Sequence, residues 1–324
     1  MKVSAARLNI LFVALIAAAV VFSVMAGKVW LPWDAWSSGD LRWLIIAELR
    51  LPRTVLAIAV GAALGTAGAV MQGYLRNPRA DPGLFGISSG AALGAVTSLY
   101  FGYALSAFLL PAFALTGAGI AMLLLALLAG RSGSLIMFAL AGMILASIAG
   151  SLTTLAISLA PTPYVASEIV NWLMGALTDR SWDDVRITVP AICLGIGVLL
   201  TTGRSLDALT LGEAAARSMG VNERVLQWKV VIGVGLCVGA SVAAAGIIGF
   251  VGLMVPHIVR PLVGARPSNV ILPSALGGAA LLLIADCLVR IAPTVSELRL
   301  GIAMSMLGAP FFLAMLLRLR KSLA

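Results

Sequence analysis

The side chains able to do chemistry are few and scattered. Asp286 lies inside an apolar run, His257 is the sole histidine and follows Pro256, and Cys193, Cys237 and Cys287 each stand among apolar neighbours. A carboxylate at the centre of a membrane-spanning helix costs about 2.5–3.5 kcal/mol on insertion scales, so Asp286 needs a partner. A structural hydrogen bond between helices is the expectation for it, and a proton relay the competing reading. His257 sits where proline removes a backbone donor, and bonding a freed carbonyl suits it better than ligating a metal. The cysteines have neither metal spacing nor a disulfide framework and read as small core hydrophobes. No GxxxxGK[ST] occurs, so the chain carries no P-loop of its own. No residue set points to a hydrolase or an oxidoreductase, and no metal or cofactor is expected on this chain.

One stretch, Arg204 to Arg224, is well charged between apolar runs. Thr210 followed by Glu213 has capping-box spacing, Glu213 and Arg217 are placed for a helical ion pair, and Gly220 sits where a helix-ending glycine belongs. A helix of two to three turns is marginal alone in water, so something must hold it. Its apolar residues Leu209, Leu211 and Met219 leave two readings open: an ordinary amphipathic loop helix, or a docking element for a second protein.

The elements around these residues are membrane spans. Of 324 residues 61% are hydrophobic and 11% charged, against roughly a quarter charged in soluble domains. The fold expected is all-α and polytopic, one transmembrane unit over 1–324. Roughly ten segments reach span length, about 20 apolar residues each: 8–28, 54–75, 84–104, 108–130, 135–160, 187–203, 226–248, 250–263, 271–292 and 299–318. The first resembles a secretory signal but is long for one, and an uncleaved span is expected. Starting inside, fourteen of the 22 basic residues fall on cytoplasmic segments or adjoining span ends, Arg131 of the 131–134 turn among them. Acidic residues run the other way, which places both termini and the 204–224 loop in the cytoplasm. The net charge of +9 therefore needs no nucleic acid to explain it. Outside, Trp30, Trp33, Trp36 and Trp43 read as an interfacial anchor, and a short helix is expected over about 165–182, opening near Ser167. Glycines four apart, Gly61 and Gly65, Gly86, Gly90 and Gly94, and Gly235 and Gly239, are spaced for close helix packing.

Several blocks together carry a resemblance: Arg50-Leu-Pro-Arg53, Gly61-Ala-Ala-Leu through Gln72, Arg76-Asn-Pro-Arg-Ala-Asp-Pro-Gly-Leu-Phe-Gly86, Leu209-Thr-Leu-Gly-Glu213 through Gly220, Gly249-Phe-Val-Gly-Leu-Met-Val-Pro-His257, Leu272-Pro-Ser-Ala275 with Asp286, Ser296-Glu-Leu, and Gly308-Ala-Pro-Phe-Phe312. In order and nearly end to end, the chain resembles the FecCD family, permease subunits of type II ATP-binding-cassette importers for iron–siderophore complexes, haem and cobalamin.

The resemblance implies a bacterial inner-membrane permease pairing with a second permease copy, identical or paralogous, around a central path. It implies two separate ATPase subunits, which carry the ATP and Mg and do the hydrolysis, and a periplasmic binding protein that delivers the cargo. An iron–siderophore complex is the cargo expected, with haem and cobalamin as alternatives. By the same likeness the 204–224 loop forms two short helices that seat in the ATPase, with Asp207, Leu209, Gly212, Glu213, Ala216, Arg217 and Gly220 as its coupling residues. Arg50, Arg53 and Arg290 match arginines that receive the binding protein, Glu297 and Arg299 lie at the mouth of the path, and Asp286 and His257 are structural. Parts of 145–160 and 299–312 line the path. Two positions depart from the family pattern: Arg79 in Asn77-Pro78-Arg79-Ala80, and Arg299 in place of a proline, which puts a cation where cargo enters. The rival from another class is an ion-coupled secondary transporter, which would use Asp286 and leave the loop helix unexplained; a scaffold protein gives no reason for polar sites on both faces.

Overall fold

The computed structural model describes residues 4–36, 42–103, 106, 108–129, 135–293 and 297–323. Arg131 and the turn expected at 131–134, and Ser296, lie outside these residues. The described elements are helical throughout. Helix α1 spans Ala5–Met25; α2, Arg42–Leu44, runs through a π-helical turn, Ile45–Arg50, into α3, Leu51–Tyr74. After a 3-10 turn at Pro82–Phe85 come α4 (Ile87–Tyr100), α5 (Leu109–Ala129), α6 (Leu135–Ser158), α7 (Pro163–Leu173) and α8 (Trp182–Leu200). Then follow α9 (Gly203–Leu209), α10 (Glu213–Ser218), α11 (Glu223–Ala245), α12 (Val251–Val263), α13 (Pro267–Ile291) and α14 (Leu300–Leu323).

Every expected span has its helix. Among the described residues six helices are long and apolar enough to cross a membrane alone, and α8 with α9 makes a seventh if the pair, bent by 45°, is one span. The 14 residues of α4 reach only about 21 Å, short of a ~30 Å hydrocarbon core. Short spans need their ends covered by protein, because lipid offers no partner to a free backbone group.

The helices sort into an inner set and an outer set. The apolar windows of α3, α11 and α13 are 78% buried within the chain, and those of α1, α5 and α6 only 28%. Small residues decide which helices go inside. A Cβ on Gly61 would overlap the Gly278 carbonyl, and one on Gly65 the Ser274 carbonyl, so α3 and α13 touch backbone to backbone. Gly90, Gly94 and Gly117 do the same for α4 and α5. Lipid tails are as apolar as leucine, so association here rests on such van der Waals packing. Gly86, expected within the same stripe, instead takes φ +77 at the start of α4.

Two expectations shift. The short helix opens at Pro163, not near Ser167, and stops at Leu173, well before 182: Thr162 caps it by accepting from the Val165 N–H, and the chain then turns through Gly175 at φ +71 and Asp179 at φ +58. Cys237 and Cys287 are buried, but Cys193 is exposed on the outward face of α8.

Gly61→Val should lower the unfolding temperature of the detergent-purified chain, because overpacking a tight contact costs about 1–3 kcal/mol or more. Gly150→Ala, where an added Cβ meets open space, should be neutral or slightly stabilising. Equal melting of the two variants would refute the packing account.

Candidate functional site

At one end of the bundle, the loop end, α9 leaves α8 at a bend and lies against α3 and α13. Leu206, Ala208 and Leu209 are buried there, and Gly203 sits close to Ser268. Asp207 makes the firmest link. Its carboxylate accepts from the Ser268 N–H at 3.0 Å and the Ser268 hydroxyl at 2.6 Å. Arg266, at the N-cap position of α13, makes no side-chain cap, so Asp207 supplies that cap from another helix.

The expected capping box does not form. Gly212 takes φ +102 and splits the loop into two helices. Thr210 then ends α9, and its hydroxyl donates back to the Asp207 carbonyl at 2.6 Å, the local bond that threonine offers in competition with a cap. The expected Glu213–Arg217 pair is also absent among the described residues: Glu213 meets Arg76 at 3.1 Å and Arg217 faces Glu223 at 3.7 Å. Gly220 does end α10, at φ +82, with the Val221 N–H donating to the Ala216 carbonyl and the Gly220 N–H to the Arg217 carbonyl. That is a Schellman closure. Leu209 and Ala216 turn inward, whereas Leu211 is 67% and Met219 63% exposed. The loop thus has an anchored face and an open apolar face. Beside it, Asp81 accepts from the Gly83 N–H at 2.8 Å, and burial pushes its carboxyl above the usual range, partly offset by that bond.

At the far end of the bundle α1 ends, and α3 and α13 meet it. Arg53 donates to Asp286 at 2.9–3.2 Å and to Glu297 at 2.9 Å. Arg290 donates to Asp286 and to the Ser23 hydroxyl at 2.6 Å each, and to the Ser23 carbonyl at 3.0 Å. Arg50 closes the end of α1, donating to the Val24 and Met25 carbonyls at 2.7 Å and to Val29 at 2.6 Å. The three arginines matched to docking are therefore turned inward, 8%, 9% and 4% exposed for Arg50, Arg53 and Arg290. Their donors go to groups that would otherwise be orphaned: the last carbonyls of α1 and a fully buried carboxylate. Asp286 bridges its own helix to α3. Glu297 stays a quarter exposed, and the half-buried Arg299 opens α14, its carbonyl accepting from the Ile302 and Ala303 N–H groups.

His257 departs from its expected bond. Pro256 frees the Gly252 carbonyl, and Gln72 of α3 approaches it at 3.4 Å and the next carbonyl, Leu253, at 3.2 Å. Arg260 in turn donates to the Gln72 amide oxygen at 3.0 Å. The His257 ring packs edge-on against Phe311 with centroids 6.2 Å apart, and its Nδ1 has no hydrogen-bond partner among the described residues. Near the start of α14 a cavity of about 500 Å³ opens between Met174, Ile247, Gly301 and Ser305. The contacts made by Ser268, Arg76 and Gln72 escaped the sequence reading: each acts on a residue far along the chain, and spacing carries no signal for that.

Residues 14–318 match the FecCD transport family. Similar proteins include the Fe(3+) dicitrate transport system permease protein FecD of Escherichia coli K12, 35% identical over 96% of this chain and 98% of that protein. The vitamin B12 import system permease protein BtuC of Vibrio cholerae is 37% identical over 96% and 94%. A solved inward-facing ABC transporter, assigned to the metal-chelate type, superposes with a TM-score of 0.88 at 30% identity, covering 96% of this chain and 99% of that one.

Asp286→Ala should leave two arginines facing a buried void and cost about 3–5 kcal/mol. Asp207→Ala should cost about 0.5–2 kcal/mol, the loss of one helix cap. Thermal unfolding in detergent checks both, and the triple replacement Asp286→Leu, Arg53→Met, Arg290→Met should recover most of the first loss.

Proposed function

The chain belongs to the FecCD transport family, and we propose that it carries an iron–siderophore complex across the bacterial inner membrane as the permease subunit of an ATP-binding-cassette importer. The loop end faces the cytoplasm, where two ATPase subunits bind ATP and Mg, and the far end faces the periplasm and a substrate-binding protein. A second permease copy completes the path. The observation that carries the coupling is the loop: a pre-formed helix pair with Leu211 and Met219 exposed and Asp207 fixed to the first turn of α13. An element already ordered can transmit a push without first losing conformational entropy. On the far side, the binding protein meets the rim where Glu297 and Arg299 stand, and the buried arginines hold that rim in shape. Arg299, a cation at the mouth, favours an anionic ferric chelate by long-range attraction.

Reconstitution with the ATPase and the binding protein should give ATP-dependent uptake of a ferric siderophore in liposomes. Uptake of haem or cobalamin instead would move the cargo within the family, and accumulation driven by a proton or sodium gradient without ATPase would overturn the mechanism. Gly212→Pro with Glu213→Ala should leave the chain inserted but cut uptake per ATP hydrolysed at least tenfold, since proline's φ near −65° cannot follow the +102° that Gly212 adopts. Arg299→Gln should raise the KM for an anionic chelate several-fold, more at low salt than at high, and leave basal ATP hydrolysis unchanged.

A further inference from the structure

A second concavity lies away from the path and the coupling surface. Between α8 and α11, at the loop end, a groove of about 690 Å³ opens outward, walled by Leu194 and Gly197 on one side and Trp228 and Ile232 on the other, with Lys229 on its lining. From Cys193 to Thr201, both on the lining, it runs about 12 Å at 1.5 Å per residue. One leaflet's share of a ~30 Å hydrocarbon core is about 15 Å. The groove therefore has the length and lining of an acyl-chain slot.

Its polar groups are unevenly satisfied. The Thr201 hydroxyl donates to the Val198 carbonyl at 2.7 Å. Lys229 is half-buried, and among the described residues no carboxylate or hydrogen-bond acceptor meets its ammonium group. An ammonium on a long apolar stem at the edge of a greasy groove is placed to hold an anion at the water interface. Arg224 is exposed one turn nearer the loop end, on the face that Trp228 shares. Tryptophan at that depth is an interfacial anchor. Cationic side chains, an interfacial indole and an apolar slot together match one ligand class.

We propose that this groove binds an anionic phospholipid from the leaflet on the loop side, its acyl chain along α8 and α11 and its phosphate on Lys229 and Arg224. Because α8 passes directly into α9, the bound lipid braces the 45° bend from which the coupling helices hang.

The test reads binding, so its failure and a failure of the transport reading are separable. The full chain is mixed with brominated phosphatidylglycerol or brominated phosphatidylcholine, and the emission lost on Trp228→Phe isolates the Trp228 signal. Quenching should reach half-maximum at a mole fraction of the anionic lipid at least about fivefold lower, the effect of a single juxtamembrane cation. Lys229→Gln together with Arg224→Gln should erase that difference. Gly197→Leu, whose side chain enters open space, should fill the groove and remove the saturable quenching by both lipids in a protein that folds. Equal dependence on the two lipids in the unaltered chain, a preference surviving the double replacement of Lys229 and Arg224, or no quenching of Trp228 because a second copy covers the groove would each overturn the proposal.

Discussion

The backbone contact between α3 and α13 is the constraint on which the rest depends. Gly61, Gly65 and Gly278 let the two helices meet without side chains between them, and the bilayer supplies no hydrophobic force to hold them otherwise. Locked to α3, α13 becomes a rod of 25 residues, about 37 Å long, that reaches both ends of the bundle. Its first turn takes the Asp207 cap from the 204–224 loop. Its last turns hold Asp286 and Arg290 in the far-end cluster. One element thus carries a polar fixture at each end of the bundle, and the two are joined through packed backbone rather than through mobile side chains.

The other fixtures keep that rod and its neighbours from relaxing. Gln72 and Arg260 hold the helix turn that Pro256 leaves open, so α12 stays attached to α3 despite its prolines. Phe250 starts α12 at φ +70, a conformation that costs a bulky residue of order 1–3 kcal/mol. Its ring lies where any side chain on Gly308 would go. A strained turn is thereby wedged against α14, one of the helices expected to line the path. Interfaces of this kind switch between discrete packings more readily than they deform.

Much of this architecture was legible in the sequence, because its dominant signals are local. Apolar run length marked ten spans, Gly220 marked the end of a helix, and glycine spacing marked the packing faces at Gly61 and Gly90. What escaped depends on residues remote in the chain. Thr210 and Glu213 have the spacing of a capping box, but the sequence does not reveal that Gly212 sits at φ +102 and assigns them to different helices. The resemblance assigned Arg50 and Arg53 to a docking face. Only the fold brings the open carbonyls of α1 and the carboxylate of Asp286 within their reach. His257 was the sole candidate visible near Pro256, whereas the group that answers the freed carbonyl, Gln72, lies 180 residues upstream.

The far-end cluster also bears on how the molecule comes into being. Arg53 and Asp286 are 233 residues apart in the chain, and at roughly 5–20 residues per second a ribosome needs about 10–50 s to make that stretch. Through that interval α3 sits in or beside the membrane with Arg53 lacking its counter-ion. Arginine near a helix end keeps its head in interfacial water while its stem lies in lipid, so the far end of α3 stays wet until the ninth span arrives and Asp286 dries it. The charge pair is therefore a late seam in biogenesis, closed only when nearly the whole chain has been made.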